Sequence, residues 1–276
     1  MSRGHLPVDL HLHSTASDGS LSPARLIEKA SAAGLAAVAL TDHDTLDGVK
    51  EALEAGRRCG LEVLPGVEIS VQAGEQEIHL LGYDPLYPEK ISAFLEEMRR
   101  ERYRRMQQMT ARLRRLGFSI SDEEIIAEAG PGAPGRLHQA RLMVKQGYSS
   151  EIDEAFSDYL ERGRPAFVPR KIPDPATAIR MLHRAGAVPV VAHPGASGKA
   201  LLRKLVAMGL RGVEVFHPEH SPEMIRHYRH QALQMNLLIT GGSDFHGDRN
   251  HRTGRLGGIT VPYRYLAALK EAPRGF

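Results

Sequence analysis

The stretch Val8-Asp9-Leu10-His11-Leu12-His13-Ser14 decides how this chain is read. Apolar and polar residues alternate through it, the period of a β-strand with two unlike faces. His11 and His13 stand at i and i+2, so both imidazoles lie on one face and can converge on a single ion. Leu10 and Leu12 are then expected to pack into the layer behind them. Histidine pairs of this kind also occur as ordinary surface or core residues, so the remaining ligands have to come from elsewhere in the chain.

Outward from that strand, strand and helix patterns alternate. Ser22-Pro23 offers an N-cap and a first-turn proline, Leu26, Ile27 and Ala30 an apolar stripe, and Gly34 a stop. A second strand is predicted over 36–40, and its end delivers Thr41-Asp42-His43-Asp44 into a loop before a helix over 48–59. Strands follow over 62–70, carrying Glu68, and over 78–81, carrying His79. Later strands are expected at 188–193, 212–216 and 237–240, each after a helix. This alternation predicts an α/β fold around a parallel sheet, with the strand C-terminal ends facing the ligand.

Between 89 and 163 the rhythm becomes almost purely helical, opening with a long segment over 91–116. We expect a barrel-type domain formed by 1–88 and 164–276, and a helical, substrate-capping insertion over 89–163. The insertion carries Arg99, Arg100, Arg102, Arg104, Arg105, Arg112, Arg114 and Arg115 against Glu96, Glu97 and Glu101. Such a run is either a solvated helix face or a clamp in which guanidinium forks pair with phosphate oxygens.

Composition narrows the chemistry. A hydrophobic fraction of 42% and a charged fraction of 25% belong to a globular chain, and no apolar run approaches the roughly 20 residues of a membrane span. The first residues hold no apolar signal-like run, and Cys59 is the only cysteine, so the cytoplasm is the expected location. Cys59 itself is read as a small buried side chain. Fourteen histidines beside one cysteine direct any metal site toward nitrogen and oxygen ligands. The net charge of +3 accommodates an anionic substrate without marking a nucleic-acid-binding protein.

Six segments at predicted strand ends offer ligand chemistry: His11 with His13, Asp18, Asp42-His43, Glu68 with His79, His193-Pro194, and Asp244-Phe245-His246. Singly, each has a plain structural explanation as a turn, cap or strand terminus. Together they form a ligand set for divalent ions at close quarters, where a carboxylate can bridge two ions.

The motifs His11-Leu12-His13, Thr41-Asp42-His43-Asp44, Pro65-Gly66-Val67-Glu68-Ile69-Ser70, Ala192-His193-Pro194-Gly195 and Gly242-Ser243-Asp244-Phe245-His246-Gly247 resemble the polymerase and histidinol phosphatase (PHP) superfamily. The resemblance implies a distorted (β/α)7 barrel with two or three divalent ions, manganese first and iron, zinc or magnesium next, hydrolysing phosphoesters. By position it assigns His11, His13, Glu68 and Asp244 to one ion. Glu68 would bridge to a second ion held by His79 and His193, and Asp18, His43 and His246 would hold a third. Family members vary between histidine and aspartate at the position of Asp18. The implied reaction is attack on phosphorus by a metal-bridging hydroxide, with Asp18, His43, Glu68 and Asp244 as catalytic residues. Asp18, His43 or metal-bound water would protonate the leaving group, and Asp42 would orient a ligand from behind.

Within the superfamily the chain resembles a group that contains nucleoside 3′,5′-bisphosphate phosphatases and 5′-to-3′ exoribonucleases. The carriers are the arginine-rich helix Arg99-Arg100-Glu101-Arg102-Tyr103-Arg104-Arg105-Met106 and the segment Gly135-Arg136-Leu137-His138-Gln139-Ala140-Arg141. Arg99, Arg102, Arg136 and His138 would then grip a second phosphate. The chain departs from that group after His193-Pro194-Gly195, where Ala196-Ser197 replace an Arg-Tyr pair, and Lys199 is the nearest substitute charge. Phe216-His217-Pro218-Glu219-His220 also differs, with His217 and His220 placed for a substrate contact. His5, His183, His227, His230 and His251 are read as tail or surface residues. The expected substrate is a small nucleotide, with a short 5′-phosphorylated RNA end as the alternative and neither a membrane nor a stable nucleic-acid partner. A non-catalytic metal-binding module is the third possibility.

Overall fold

In the computed structural model, which describes residues 5–195, 198–247 and 254–275, the first six elements are β1 (Pro7–Leu12), α1 (Pro23–Ala32), β2 (Ala37–Leu40), α2 (Val49–Cys59), β3 (Glu62–Ala73) and β4 (Gln76–Tyr83). Four helices come next: α3 (Glu89–Arg115), α4 (Asp122–Ala129), α5 (Arg136–Lys145) and α6 (Ile152–Ala155), the last running into a π-helical turn over Phe156–Leu160. The scaffold then resumes with α7 (Pro175–Arg184), β5 (Val188–Ala192), α8 (Gly198–Ala207), β6 (Gly212–Phe216), α9 (Pro222–Gln234) and β7 (Leu238–Gly241). It ends with β8 (Val261–Pro262) and α10 (Tyr263–Glu271). Ala196, Ser197, the Lys199 side chain and His251 lie outside the described residues.

The strands form one sheet in the order β7-β6-β5-β4-β3-β2-β1-β8. A bridge between Leu12 and Phe245, with the His13 N–H donating to the Phe245 carbonyl at 3.0 Å, joins β1 to the segment after β7 and bends the sheet round on itself. This is the α/β barrel expected from the sequence, distorted in one respect. β4 is antiparallel to both β3 and β5, while the other five pairings among β1–β7 that the sheet and this bridge make are parallel. The cause is local. Ala73 pairs with Gln76 across a two-residue turn whose first position, Gly74, has φ +65°, the conformation a tight hairpin of this kind requires and glycine adopts without strain. A wholly parallel sheet was the simpler expectation, and this hairpin corrects it.

Side-chain alternation sorts the core into layers. Val8, Leu10, Ala37, Ala39, Leu64, Leu81, Tyr83 and Val190 fill the barrel interior, closed at one end by Leu266 and Leu269 of α10. The Tyr83 hydroxyl crosses this interior to the Leu10 carbonyl at 2.8 Å. The opposite faces pack outward, Val67, Ile69, Leu80 and Val191 against α7 and the start of α3, and Leu12, Val38 and Leu40 against α1 and α2. The apolar contacts divide α3 in two. Ile91, Leu95 and Met98 belong to the barrel's outer layer, whereas Met106, Met109 and Leu113 form a separate core with Ile125, Met143 and Leu160. One continuous helix therefore carries the helical unit away from the barrel.

Two smaller expectations change. His183 is buried on α7 with Nε2 2.8 Å from the Gly209 carbonyl rather than on the surface, and Cys59 is only partly buried. His227 and His230 are exposed as expected.

Candidate metal centre

The centre begins with an irregularity in β1. Val8 and Asp9 pair with Ala37 and Val38, but Leu12 pairs with Leu40, so β1 holds one residue more than β2 over this interval. Such a bulge reverses the facing of the residues beyond it. Leu10 therefore enters the barrel interior while Leu12 packs behind the sheet against α1, correcting the expectation that both lie in one layer. His11 and His13 turn together toward the middle of the barrel, both fully buried.

Glu68 comes from the inward face of β3, between the outward-packed Val67 and Ile69. Its Oε1 lies 2.8 Å from His79 Nδ1 and 3.1 Å from His193 Nε2. Its Oε2 lies 3.3 Å from His11 Nε2, 3.2 Å from His13 Nε2 and 3.1 Å from His43 Nδ1. Asp244 Oδ1 stands 3.4 Å from His11 Nε2 and 3.2 Å from His13 Nε2. Asp18 Oδ1 stands 3.2 Å from His246 Nε2, and Asp18 Oδ2 3.9 Å from His43 Nε2. Three groups result: His11, His13, Glu68 and Asp244; Glu68, His79 and His193; and His13, Asp18, His43 and His246. They bring together all nine residues singled out from the sequence and add His13 to the third group.

The backbone is bent to aim these side chains. His193 has φ 22° and Asp244 φ 51°, values that non-glycine residues adopt at some cost and that persist where surrounding contacts enforce them. Gly242 is needed for another reason, since a Cβ there would lie 2.4 Å from the His11 backbone nitrogen. Asp42 does not touch His43 by any hydrogen bond. It accepts from the Ser14 N–H at 2.7 Å and from the Ser14 and Ser17 hydroxyls at 2.7 and 2.6 Å, so it fixes the turn that carries Asp18.

Burial opposes charge on these side chains, yet on Asp18, Glu68, Asp244, His13 and His79 the opposite charges close by overcome it. Asp18, Glu68 and Asp244 are held well below the usual carboxylate range by the histidines around them. Despite burial, the facing carboxylates raise His13 to about 9 and His79 to about 10. His43 goes the other way, kept neutral by burial and by the Arg102 guanidinium. Five ring nitrogens, His11 Nε2, both nitrogens of His13, His43 Nδ1 and His79 Nδ1, are buried and form no hydrogen bond, although the carboxylates stand close to all but His13 Nδ1. Buried polar atoms seldom stay unpaired, and neutral imidazoles with carboxylates are the donor set of Mn, Fe and Zn. The residues fit divalent ions, which would take the place of the protons.

Beside the centre lies an open cleft. Asp18, His43 and His79 line it together with Arg102, Arg105, Arg136 and Arg170. Arg102 Nε donates to Asp44 Oδ2 at 2.5 Å, and Arg170 Nη2 donates to the same oxygen at 2.7 Å. Arg105 donates through Nε to the Val168 carbonyl, leaving a buried Nη2 without a hydrogen-bond partner. Burial and the nearby Arg136 guanidinium push Arg105 down to about 9. Arg136 lies over the Phe156 ring at 5.7 Å. Of the four residues expected to grip substrate, Arg102 and Arg136 line this cleft. Arg99 instead pairs with Asp47 at 2.5 Å, and His138 Nδ1 accepts the Gly135 N–H at the start of α5. Arg170 was not picked out from the sequence, and neither was Glu77, which also lines the cleft.

A family model described as PHP domain matches residues 9–165. The chain is 36% identical over 248 residues to a 3′,5′-nucleoside bisphosphate phosphatase of Chromobacterium violaceum, the match covering 87% of each chain. It is also 36% identical over 247 residues to a 5′-3′ exoribonuclease of Haemophilus influenzae, covering 86% of this chain and 89% of that one. Among solved structures, a protein of Bifidobacterium adolescentis assigned as a metal-dependent phosphoesterase superposes with a TM-score of 0.89 at 32% identity, covering 95% of this chain and 94% of that one. The family match takes in more than half of the 276 residues, including every candidate ligand from His11 to His79, and the chain belongs to the PHP domain family.

Proposed function

We propose that the protein is a metal-dependent phosphoesterase that removes one phosphate from a small nucleotide bearing two, a nucleoside 3′,5′-bisphosphate. The observation that carries this reading is the cleft itself, where Asp18, His43 and His79 of the ligand groups and four arginines line one space. A substrate with one phosphate at the centre would meet Arg105 and Arg136 with its second, and the unpartnered Arg105 Nη2 is a donor awaiting an acceptor. The ions, manganese first, would be held by His11, His13, Glu68 and Asp244, by Glu68, His79 and His193, and by Asp18, His43 and His246. When bound they supply positive charge to the phosphoryl oxygens and make water more acidic. The chain's own residues do the rest. Arg105 and Arg136 fix the non-reacting phosphate, Asp44 holds Arg102 and Arg170 in place beside it, and water protonates the leaving oxygen, since Asp18 is held ionised and His43 neutral.

A second reading, trimming of RNA from a 5′-phosphorylated end, is favoured by one further feature. A neighbouring cleft lined by Glu101, Arg104, Arg105, Gln108, Pro169, Arg170 and Lys171 shares Arg105 and Arg170 with the first, and with Glu101 paired to Arg104 its remaining charges are all basic. Incubating manganese-loaded protein with 3′-phosphoadenosine 5′-phosphate is expected to release inorganic phosphate and leave a nucleoside monophosphate. Stepwise shortening of a 5′-phosphorylated oligoribonucleotide, with the bisphosphate untouched, would replace the first reading by the second.

A further inference from the structure

The inference here rests on the metal-centre reading above. Of the seven strands β1–β7, six carry a residue of the three ligand groups or are followed by one within three residues, and among the described residues β6 provides none. Yet β6 buries a carboxylate completely, Glu214, and directs it at the centre. His11 Nδ1 lies 3.0 Å from Glu214 Oε1 and 3.2 Å from Oε2. The same Oε2 accepts the His193 backbone N–H at 2.8 Å, at the point where the chain takes its φ of 22°. With Nδ1 donating to Glu214, the free lone pair of His11 sits on Nε2, the nitrogen that faces Glu68 and Asp244.

Beyond the strand end, His217 approaches a carboxylate of the centre. Its Nδ1 accepts the Glu219 N–H at 3.2 Å, which places the ring proton of the neutral imidazole on Nε2. That nitrogen is buried and makes no hydrogen bond, and it stands 3.5 Å from Asp244 Oδ2, the oxygen opposite the one that faces His11 and His13, within ion-pair range of that carboxylate. Glu214 and His217 are three apart and would point to opposite faces of a regular strand. A register shift of one residue between Glu214 and Phe216 brings both to the same side.

We propose that β6 forms the outer support of the centre, with Glu214 fixing the tautomer of His11 and the backbone of His193 and His217 holding the far oxygen of Asp244. Both are positioning residues and neither is a ligand. Partners of this kind orient ligands and raise their basicity, and their loss typically weakens metal binding by about 10–100-fold.

Binding of Mn²⁺ alone to the ion-free protein, followed by the EPR signal of the free ion, tests this, with urea unfolding of each ion-free protein alongside. Glu214→Gln is expected to weaken the tightest site by about 10–100-fold while the ion-free unfolding midpoint stays in place. His217→Phe is expected to weaken binding in the same way, and His217→Gln, whose amide can still donate to Asp244, to restore most of the affinity. Wild-type affinity in both Glu214→Gln and His217→Phe would overturn the proposal, and so would a loss of affinity matched by a loss of ion-free stability in every variant. If Glu214→Gln fails to fold, the two His217 variants decide. Wild-type protein that binds no Mn²⁺ would instead overturn the metal-centre reading on which this one stands.

Discussion

Glu68→Gln is expected to lower phosphate release by about 10³-fold or more, a loss on the scale seen when a preorganised charge-stabilising group is removed. Glu68 is the one side chain whose two oxygens serve different groups, Oε1 facing His79 and His193 and Oε2 facing His11, His13 and His43. Glutamine keeps the volume but replaces one oxygen with an amide that donates rather than accepts. It also removes the negative charge that draws five imidazoles together. Metal analysis of the purified variant is expected to show at least one ion fewer than wild type. Full metal content together with full activity would remove Glu68 from the centre.

The second large effect is on stability. Asp44→Ala is expected to cost about 3–5 kcal/mol, because it leaves buried guanidinium charge with no partner. Asp44 is fully buried, with Arg170 2% and Arg102 14% exposed beside it. Although burial opposes its charge, the two arginines hold the Asp44 carboxyl down to about 2, so the group stays ionised. The contacts span the fold, since Asp44 follows His43 on the barrel, Arg102 lies on α3, and Arg170 also donates to the Met98 carbonyl at 3.0 Å. Breaking them should loosen the helical unit as well as lower the urea midpoint, and a midpoint within experimental scatter of wild type would show that the three residues do not act as a unit. Arg99→Ala provides the contrast, because Arg99 and Asp47 form a partly exposed pair of the kind worth at most about 1 kcal/mol.

Much of the fold was legible because its signals are local. Proline at the start of α1, the αL glycine Gly60 after α2 and the apolar runs of β2 and β5 each act within a few residues. The nine candidate ligands could be picked out because each sits on a barrel strand or in the loop after one, where a polar side chain among apolar neighbours stands out. Features that depend on pairing were not visible. The bulge in β1 leaves the alternation of Leu10-His11-Leu12-His13 unbroken, so only the register against β2 reveals that the two leucines part company. Glu214 lies in Gly-Val-Glu-Val-Phe, which reads as a half-exposed strand until His11 is found against it from 203 residues away. In the 27-residue α3, the arginine spacing gives no phase, and contact with the barrel decides that Arg102 and Arg105 line the cleft while Arg99 turns to Asp47. Arg170 lies outside the insertion, where no neighbouring residue marks it.

Three groups of buried histidines and carboxylates are expected to hold divalent ions beside an arginine-lined cleft. Anomalous diffraction from crystals grown with manganese tests it most directly. Two or three anomalous peaks are expected, one among His11, His13, Glu68 and Asp244, one among Glu68, His79 and His193, and the third, where filled, among Asp18, His43 and His246. A map with no peak at these residues under manganese concentrations that support activity, or with peaks only elsewhere on the molecule, would contradict it.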